Sequence, residues 1–232
     1  MRLIVANWES LYGDVLEDIP VNRPEPRGIP VWVSLLCDAD HAGNFLTRQS
    51  HTGLFIFINN SLIDWHSKGQ DTVESSTFGS ETIAMTTGID KVQALRYKLY
   101  MTGVLMDVPA DVFCENQLVV LTARKPDISL SKKQNAINYH RIREAAARKW
   151  IPVAFKSGAI NLANLLTKIL PIRKRKNILW KLTQYNGGRM PILWLNLRRG
   201  RKPMKAETLL ITSMRIDPVK MNGSPHVLWG ML

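Results

Sequence analysis

The stretch VFCENQLVV, residues 112–120, is an apolar run broken by one acid, Glu115, and one amide, Asn116. Residues 111–115, DVFCE, are expected to form a buried strand, with a short helical piece after it. A carboxylate where such a strand ends has two readings. It is a solvated terminus, or it is aimed at something charged. What the neighbouring strands end in decides between them.

Working outward, VWVSLLCD (residues 31–38) reads as a buried strand that closes on Asp38. GLFIFIN (53–59) and LIDWHSK (62–68) follow, joined through Asn59, Asn60 and Ser61. Asn tolerates the left-handed conformation that a tight turn requires, so these two strands are expected to pair antiparallel. Ser75, Ser76 and Thr77 offer capping side chains. Met85, Ile89, Val92, Leu95 and Leu99 then recur at helical spacing, which predicts an amphipathic helix ending near Gly103. NAINYHRIREAAARKW (135–150) is helical by its alanines and by the spacing of Ile137, Ile142, Ala145 and Ala146. IPVAFKS (151–157) supplies a fifth strand, and INLANLLTKIL (160–170) a short helix closed by Pro171. The expected architecture is α/β: a mixed five-stranded sheet with helices on both faces. No internal repeat is present.

Composition narrows the function classes. The chain has 232 residues, 45% of them hydrophobic, enough for one good core and an appendage. Its net charge of +12 is unevenly placed: residues 171–232 hold 13 Lys/Arg against 2 Asp/Glu, whereas residues 1–170 hold 18 against 17. A near-neutral body with a basic tail suggests contact with nucleic acid or an acidic surface. Residues 1–30 carry Pro20, Pro24, Pro26 and Pro30, which oppose helix and central strand, so an extended linker is expected there. The domain plan is a linker over 1–30, an α/β domain over 31–170 and a poorly ordered basic tail over 171–232. The apolar run at the N-terminus is short for a signal peptide. No uncharged apolar segment approaches the roughly 18 residues of a membrane span. Two cysteines, Cys37 and Cys114, fit a reducing compartment, and an intracellular location, cytoplasmic or nuclear, is expected. Each cysteine precedes a candidate site acid, and pleat alternation turns them to the opposite face, as packing.

Asp38 closes the first strand, Glu115 closes the fourth, and Glu81 lies four residues before Met85 on the inward stripe of the helix between them. Sites in open sheets gather at strand ends. Three clustered carboxylates repel one another and need a cation, and hard oxygen ligands select Mg2+ or Mn2+. Glu115 therefore faces a metal if Asp38 and Glu81 face the same one. Taken alone, Glu81 reads as a first-turn acid favoured by the helix dipole.

The motifs CDADHAGN and TRQSHTG (37–44 and 47–53), TVESSTFGSE (72–81), ALRYKL (94–99), VFCEN (112–116), NAINYHRIREA (135–145) and NLANLLTKILP (161–171) occur in one order. Together they resemble the ribonuclease H domain of copia-type retrotransposon Pol polyproteins. The segment WESLYGDVLEDIPVNRPEPRG (8–28) is similar to the connection between reverse transcriptase and ribonuclease H in the same family. The resemblance covers residues 8–184. It implies a ribonuclease H-like fold, origin in a larger polyprotein with reverse transcriptase, and hydrolysis of RNA in RNA–DNA hybrids with two divalent ions. It maps Asp38, Glu81, Glu115 and Asn164 onto the four ligand positions and His140 onto a further family position. In isolation His140 reads as a helix-face histidine.

Two positions depart from the family pattern. Glu115 stands where the family has Asp, and the extra methylene moves the carboxylate by roughly 1.5 Å. Asn164 also stands where the family has Asp, leaving an oxygen without its charge. Magnesium tolerates distorted octahedral geometry poorly, so hydrolysis is expected to be feeble or absent. Gly69 replaces a position that is usually basic. The alternatives are a non-catalytic module that grips nucleic acid through Arg48, Lys68, Lys132, Lys133 and the basic tail, or an inactive retroelement relic.

Overall fold

The computed structural model describes residues 9–13, 16–125, 128, 130 and 133–183, all within one compact unit, Met1–Asn186. Lys132 and the chain beyond residue 183 lie outside the described residues. After a short helix α1 (Glu9–Tyr12), the chain forms strands β1 (Val33–Asp40), β2 (His51–Ile58) and β3 (Ser61–Gly69). Helix α2 (Thr77–Met101) leads to β4 (Asp111–Cys114), helices α3 (Gln117–Arg124) and α4 (Ala136–Ala147), then β5 (Val153–Phe155). Two more helices, α5 (Asn164–Thr167) and α6 (Ile172–Thr183), complete the described part.

The sheet order is β3-β2-β1-β4-β5. β1, β2 and β3 pair antiparallel, whereas β4 runs parallel to β1 and to β5. Chain chemistry dictates that division. Asn59 holds φ at +56° in the turn between β2 and β3, and its side chain accepts from the Trp32 backbone N–H at 3.1 Å. Parallel neighbours cannot be joined by a hairpin and need a crossover, here α2 and then α3 with α4. This is the mixed five-stranded α/β sheet of a ribonuclease H-like fold.

Alternation along the strands sorts the two faces. Val33, Leu35, Cys37, Leu54, Ile56, Val112, Cys114 and Val153 form one buried cluster with Met85, Ile89 and Val92 of α2 and Ile142 of α4. Leu95 and Leu99 pack at its margin. Ser76 caps α2 by accepting from the Gly79 N–H, and the helix ends before Gly103, whose φ of +71° suits glycine. The expected stripe on α4 is partly wrong. Ile137 is exposed, and the buried face runs through Tyr139, Ile142, Arg143, Ala145 and Ala147. Arg143 stays inside because its guanidinium donates to Ile128 O and lies over the Tyr139 ring.

Two expected boundaries also change. Residues 16–30 lack regular helix or strand, as the prolines require, yet they are strapped to the domain. Arg96, almost fully buried, donates to Glu17 at 2.6 and 2.7 Å, and the Arg27 and Val31 N–H groups donate to Gly103 O and Leu105 O. At the other end, α6 occupies the first part of the segment expected to be a poorly ordered tail, and its Ile178 is buried. In sequence the charge run RKRK hides this helix, and Ile172 and Leu179 on either side of Ile178 are exposed.

Candidate metal centre

Asp38 is the sixth residue of β1, which continues to Asp40 rather than closing on Asp38. The continuation is paired only with β2, through Asp38↔Gly53, Ala39↔Thr52 and Asp40↔His51. Towards β4 the ladder stops at Leu36↔Phe113, so Asp38 stands beyond it, beside the point where β4 gives way to Glu115. Asn116 then caps α3 by accepting from the Leu118 and Val119 N–H groups. Glu115 is thus held between a strand end and a helix cap. Glu81 enters from the first turns of α2 and is buried.

The three acids meet. Each of Asp38, Glu81 and Glu115 offers an oxygen that lies within 4.8 Å of the other two. Asp38 is completely buried, Glu81 nearly so, and Glu115 partly buried. Burial pushes the Glu81 carboxyl up to about 10, with Cys114, Asp38 and Glu115 adding to the rise. Burial also lifts Asp38 to about 6, against hydrogen bonding from Thr167 and Lys168. Glu115 goes the other way. Burial would raise it, but hydrogen bonds from Lys168 and Asn164 outweigh that and hold it below the usual carboxylate range.

The fourth expected position, Asn164, is in contact with the cluster but presents the wrong atom. Its Nδ2 donates to Glu115 Oε2 at 3.0 Å, to Gly158 O at 2.8 Å and to Asn161 O at 3.3 Å. Three acceptors around one nitrogen fix the amide's orientation. Its Oδ1 is buried without a hydrogen-bond partner among the described residues.

Sequence reasoning placed no role on the residues that complete the clamp. The Lys168 ammonium bridges Asp38 Oδ1, at 3.1 Å, and Glu115 Oε1. Thr167 donates to the other Asp38 oxygen, Oδ2. Asn161 donates to Cys37 O at 2.9 Å, tying the α5 approach to β1. Gly53, opposite Asp38, admits α5 closely: a Cβ there would lie 2.5 Å from Thr167 Cγ2 and 3.0 Å from Ala163 O. The available signal was spacing, since Lys168 follows Asn164 by four residues, one helical turn.

Other expected site residues fall elsewhere. His140 lies on the exposed face of α4 with Nδ1 3.0 Å from the Tyr12 hydroxyl, and it has no contact with the carboxylates. It is a packing contact for α1. Both cysteines lie in the apolar core as expected, but Cys114 also donates from Sγ to Glu81 Oε2 at 3.7 Å. A hydrogen bond with Cys114 and complete burial hold the Cys37 thiol well above its usual range. Arg48, Lys68 and Lys133 are exposed, with Lys68 3.6 Å from Asp71. Lys68 sits at the Asp38 end of the sheet, opposite Thr52. Arg48 belongs to the loop bounding a cavity of about 330 Å³ beside Thr167, lined also by Asp40, Asn44, Ser50, His51 and Gly69.

The donor set suits a hard divalent ion, since three carboxylates converge and no soft ligand competes except a thiol bonded to Glu81. It suits one such ion better than two. Two of the three acids already share an ammonium, and the fourth position turns a nitrogen towards Glu115.

No protein-family model matches the chain. Over 138 residues it is 33% identical to the Retrovirus-related Pol polyprotein from transposon TNT 1-94 of Nicotiana tabacum, covering 59% of this chain and 10% of that protein. Over 133 residues it is 27% identical to the Pol polyprotein from transposon RE2 of Arabidopsis thaliana, covering 57% of this chain and 9% of the relative. The chain therefore spans about a tenth of the length of the curated relatives it matches. Among solved structures it is similar to the N-terminal RNase H domain of a Mycobacterium tuberculosis protein, at 15% identity and a TM-score of 0.46, covering 64% of this chain and 96% of that one. An RNase H1 solved in complex with an RNA/DNA hybrid is similar at 14% identity and a TM-score of 0.47, over 58% of this chain and 93% of that one. Among the described residues no helix is long and apolar enough to cross a membrane. By sequence the chain is homologous to a segment of retrotransposon Pol polyproteins, and by strand order and helical crossovers it carries a ribonuclease H-like fold.

Proposed function

We propose that this domain binds RNA–DNA hybrid and a divalent cation, Mg2+ or Mn2+, and that its hydrolysis of the RNA strand is weak. The observation that supports this reading is the convergence of Asp38, Glu81 and Glu115 within 4.8 Å. These three would hold the cation, which when bound polarises a phosphoryl oxygen and acidifies water. Glu81, neutral in the free chain because of its burial, gives up its carboxyl proton when a cation binds. Thr167 and Lys168 orient the Asp38 carboxylate by holding both of its oxygens. Lys68 and Arg48, exposed near the same end of the sheet, would take backbone phosphates.

Weak hydrolysis follows from Glu115 and Asn164. The longer Glu115 side chain is engaged by Lys168 and by the Asn164 amide, so its oxygens are committed to donors. The same observation favours, as second reading, a module that grips hybrid without cutting. Binding would then weaken steeply with salt, because phosphate contacts release counterions.

A labelled hybrid incubated with Mg2+ and with Mn2+ tests the reading. The expected result is salt-sensitive binding with slow, metal-dependent cleavage that Glu81→Gln abolishes. Binding without cleavage in either metal selects the second reading. No binding in low salt removes both.

A further inference from the structure

We propose that Lys168 is the second cation of this centre, so that the site takes a single divalent ion. The proposal rests on the reading of Asp38, Glu81 and Glu115 as a cation site, and it concerns how many ions they accept.

Three carboxylates within 4.8 Å, once a bound cation has ionised all of them, carry more negative charge than one side chain offsets. The chain nevertheless supplies one fixed positive charge in their midst. Lys168 Nζ touches Asp38 and Glu115 together, and it is the only ammonium or guanidinium among the described residues paired with either acid. It is not a surface lysine reaching in at random. Its backbone N–H donates to Asn164 O at 3.0 Å, the preceding Thr167 side chain is fixed on Asp38, and the stem is about two-thirds buried. An ammonium tethered this closely is present at a high effective concentration, so a weakly charged position does not displace it with a free ion.

Two features of this chain leave that position weakly charged. Asn164 contributes no negative charge and directs its nitrogen at Glu115. Glu115 carries the extra methylene that extends its carboxylate towards the ammonium, which sits on Oε1 while Asn164 sits on Oε2. Both Glu115 oxygens and both Asp38 oxygens therefore have donors, while among the described residues Glu81 meets only the weak thiol donor of Cys114. Glu81 with one oxygen each from the other two acids suffices for one ion. A second would have to evict the lysine.

Titration of the full chain with Mn2+, read by electron paramagnetic resonance of the free ion, counts the bound ions. The natural chain is expected to bind one, and Asn164→Asp, which restores charge but keeps the lysine, also one. Lys168→Met combined with Asn164→Asp is expected to bind two. Two ions in the natural chain or in Asn164→Asp overturn the proposal and leave the carboxylate site standing, and so does a double variant that stays at one. Absence of Mn2+ binding in all three chains overturns the underlying cation site as well. Circular dichroism melting verifies folding. Should the double variant not fold, the counts for the natural chain and Asn164→Asp decide.

Discussion

Gly53 lies directly opposite Asp38 across the β1–β2 ladder, and α5 occupies the space where its side chain would be. The absence of a Cβ lets Thr167 and Lys168 reach the Asp38 carboxylate. Gly53→Ala should displace α5, because the obstruction includes the Ala163 backbone oxygen, which cannot swing aside. Overpacking of this kind destabilises by about 1–3 kcal/mol. The expected outcome in urea denaturation is a lower midpoint, accompanied by weaker Mn2+ binding. An unchanged midpoint would show that α5 is not seated on Gly53.

Glu81 sets the pH dependence of the metal-free chain. Its carboxyl is raised from 4.5 to about 10, so the stability it contributes is complete below the unfolded value and is lost as pH rises towards the folded one. Asp38, raised to about 6, acts in the same direction at lower pH, and Glu115 acts oppositely in acid. Between pH 6.5 and 8.5 Glu81 therefore dominates among the three, given that each tenfold change in proton affinity is about 1.4 kcal/mol. Chemical denaturation with chelator present should show stability falling across that window, and Glu81→Gln should flatten the slope. Divalent-ion affinity should rise over the same window, since binding expels the proton.

Glu115 and Asn164 are the expected cause of weak hydrolysis. Glu115→Asp with Asn164→Asp withdraws one carboxylate from Lys168 and returns a charge to the fourth position. Misplacement of a catalytic group by about 1 Å costs on the order of 10²-fold in rate, so cleavage of a labelled hybrid should rise by roughly that factor. If neither the natural chain nor the double variant cuts hybrid in Mg2+ or Mn2+, the assignment of hydrolysis to this site is wrong.

The N-terminal segment should behave as part of the domain. Arg96 is buried and pairs with Glu17 through two nitrogens while donating to Val108 O and to the Tyr100 hydroxyl. Removing one partner of such a pair leaves an uncompensated buried charge, at about 3–5 kcal/mol. Deletion of residues 1–30, or Glu17→Ala alone, should lower the melting temperature sharply. A deletion that melts with the full chain would restore the view of this segment as a linker.

Much of this was legible in the chain because the strongest patterns were local. Five strands, the Asn59 turn, the Ser76 cap and the inward stripe from Met85 to Leu99 each follow from neighbours in sequence. The convergence of Asp38, Glu81 and Glu115 was legible only as a condition, since it depends on β1 and β4 becoming neighbours through a crossover. Lys168 and Thr167 entered the sequence reading only as part of a motif, without a role, because a lysine after an apolar turn is ordinary in sequence and its meaning comes from Gly53 on a distant strand. His140 rested on a motif match with no spacing that tied it to the acids, and it lies beside Tyr12. Glu17 was hidden because its partner Arg96 lies on the buried face of α2 with Val92 and Tyr100, where no sequence pattern announces a charge.

The central claim is that Asp38, Glu81 and Glu115 share one divalent ion, and calorimetric titration of the chain with Mn2+ at pH 8 tests it most directly. Saturable binding in the natural chain, lost in Asp38→Asn and in Glu81→Gln while both variants stay folded, is the predicted result. Binding of equal affinity in all three chains would contradict it.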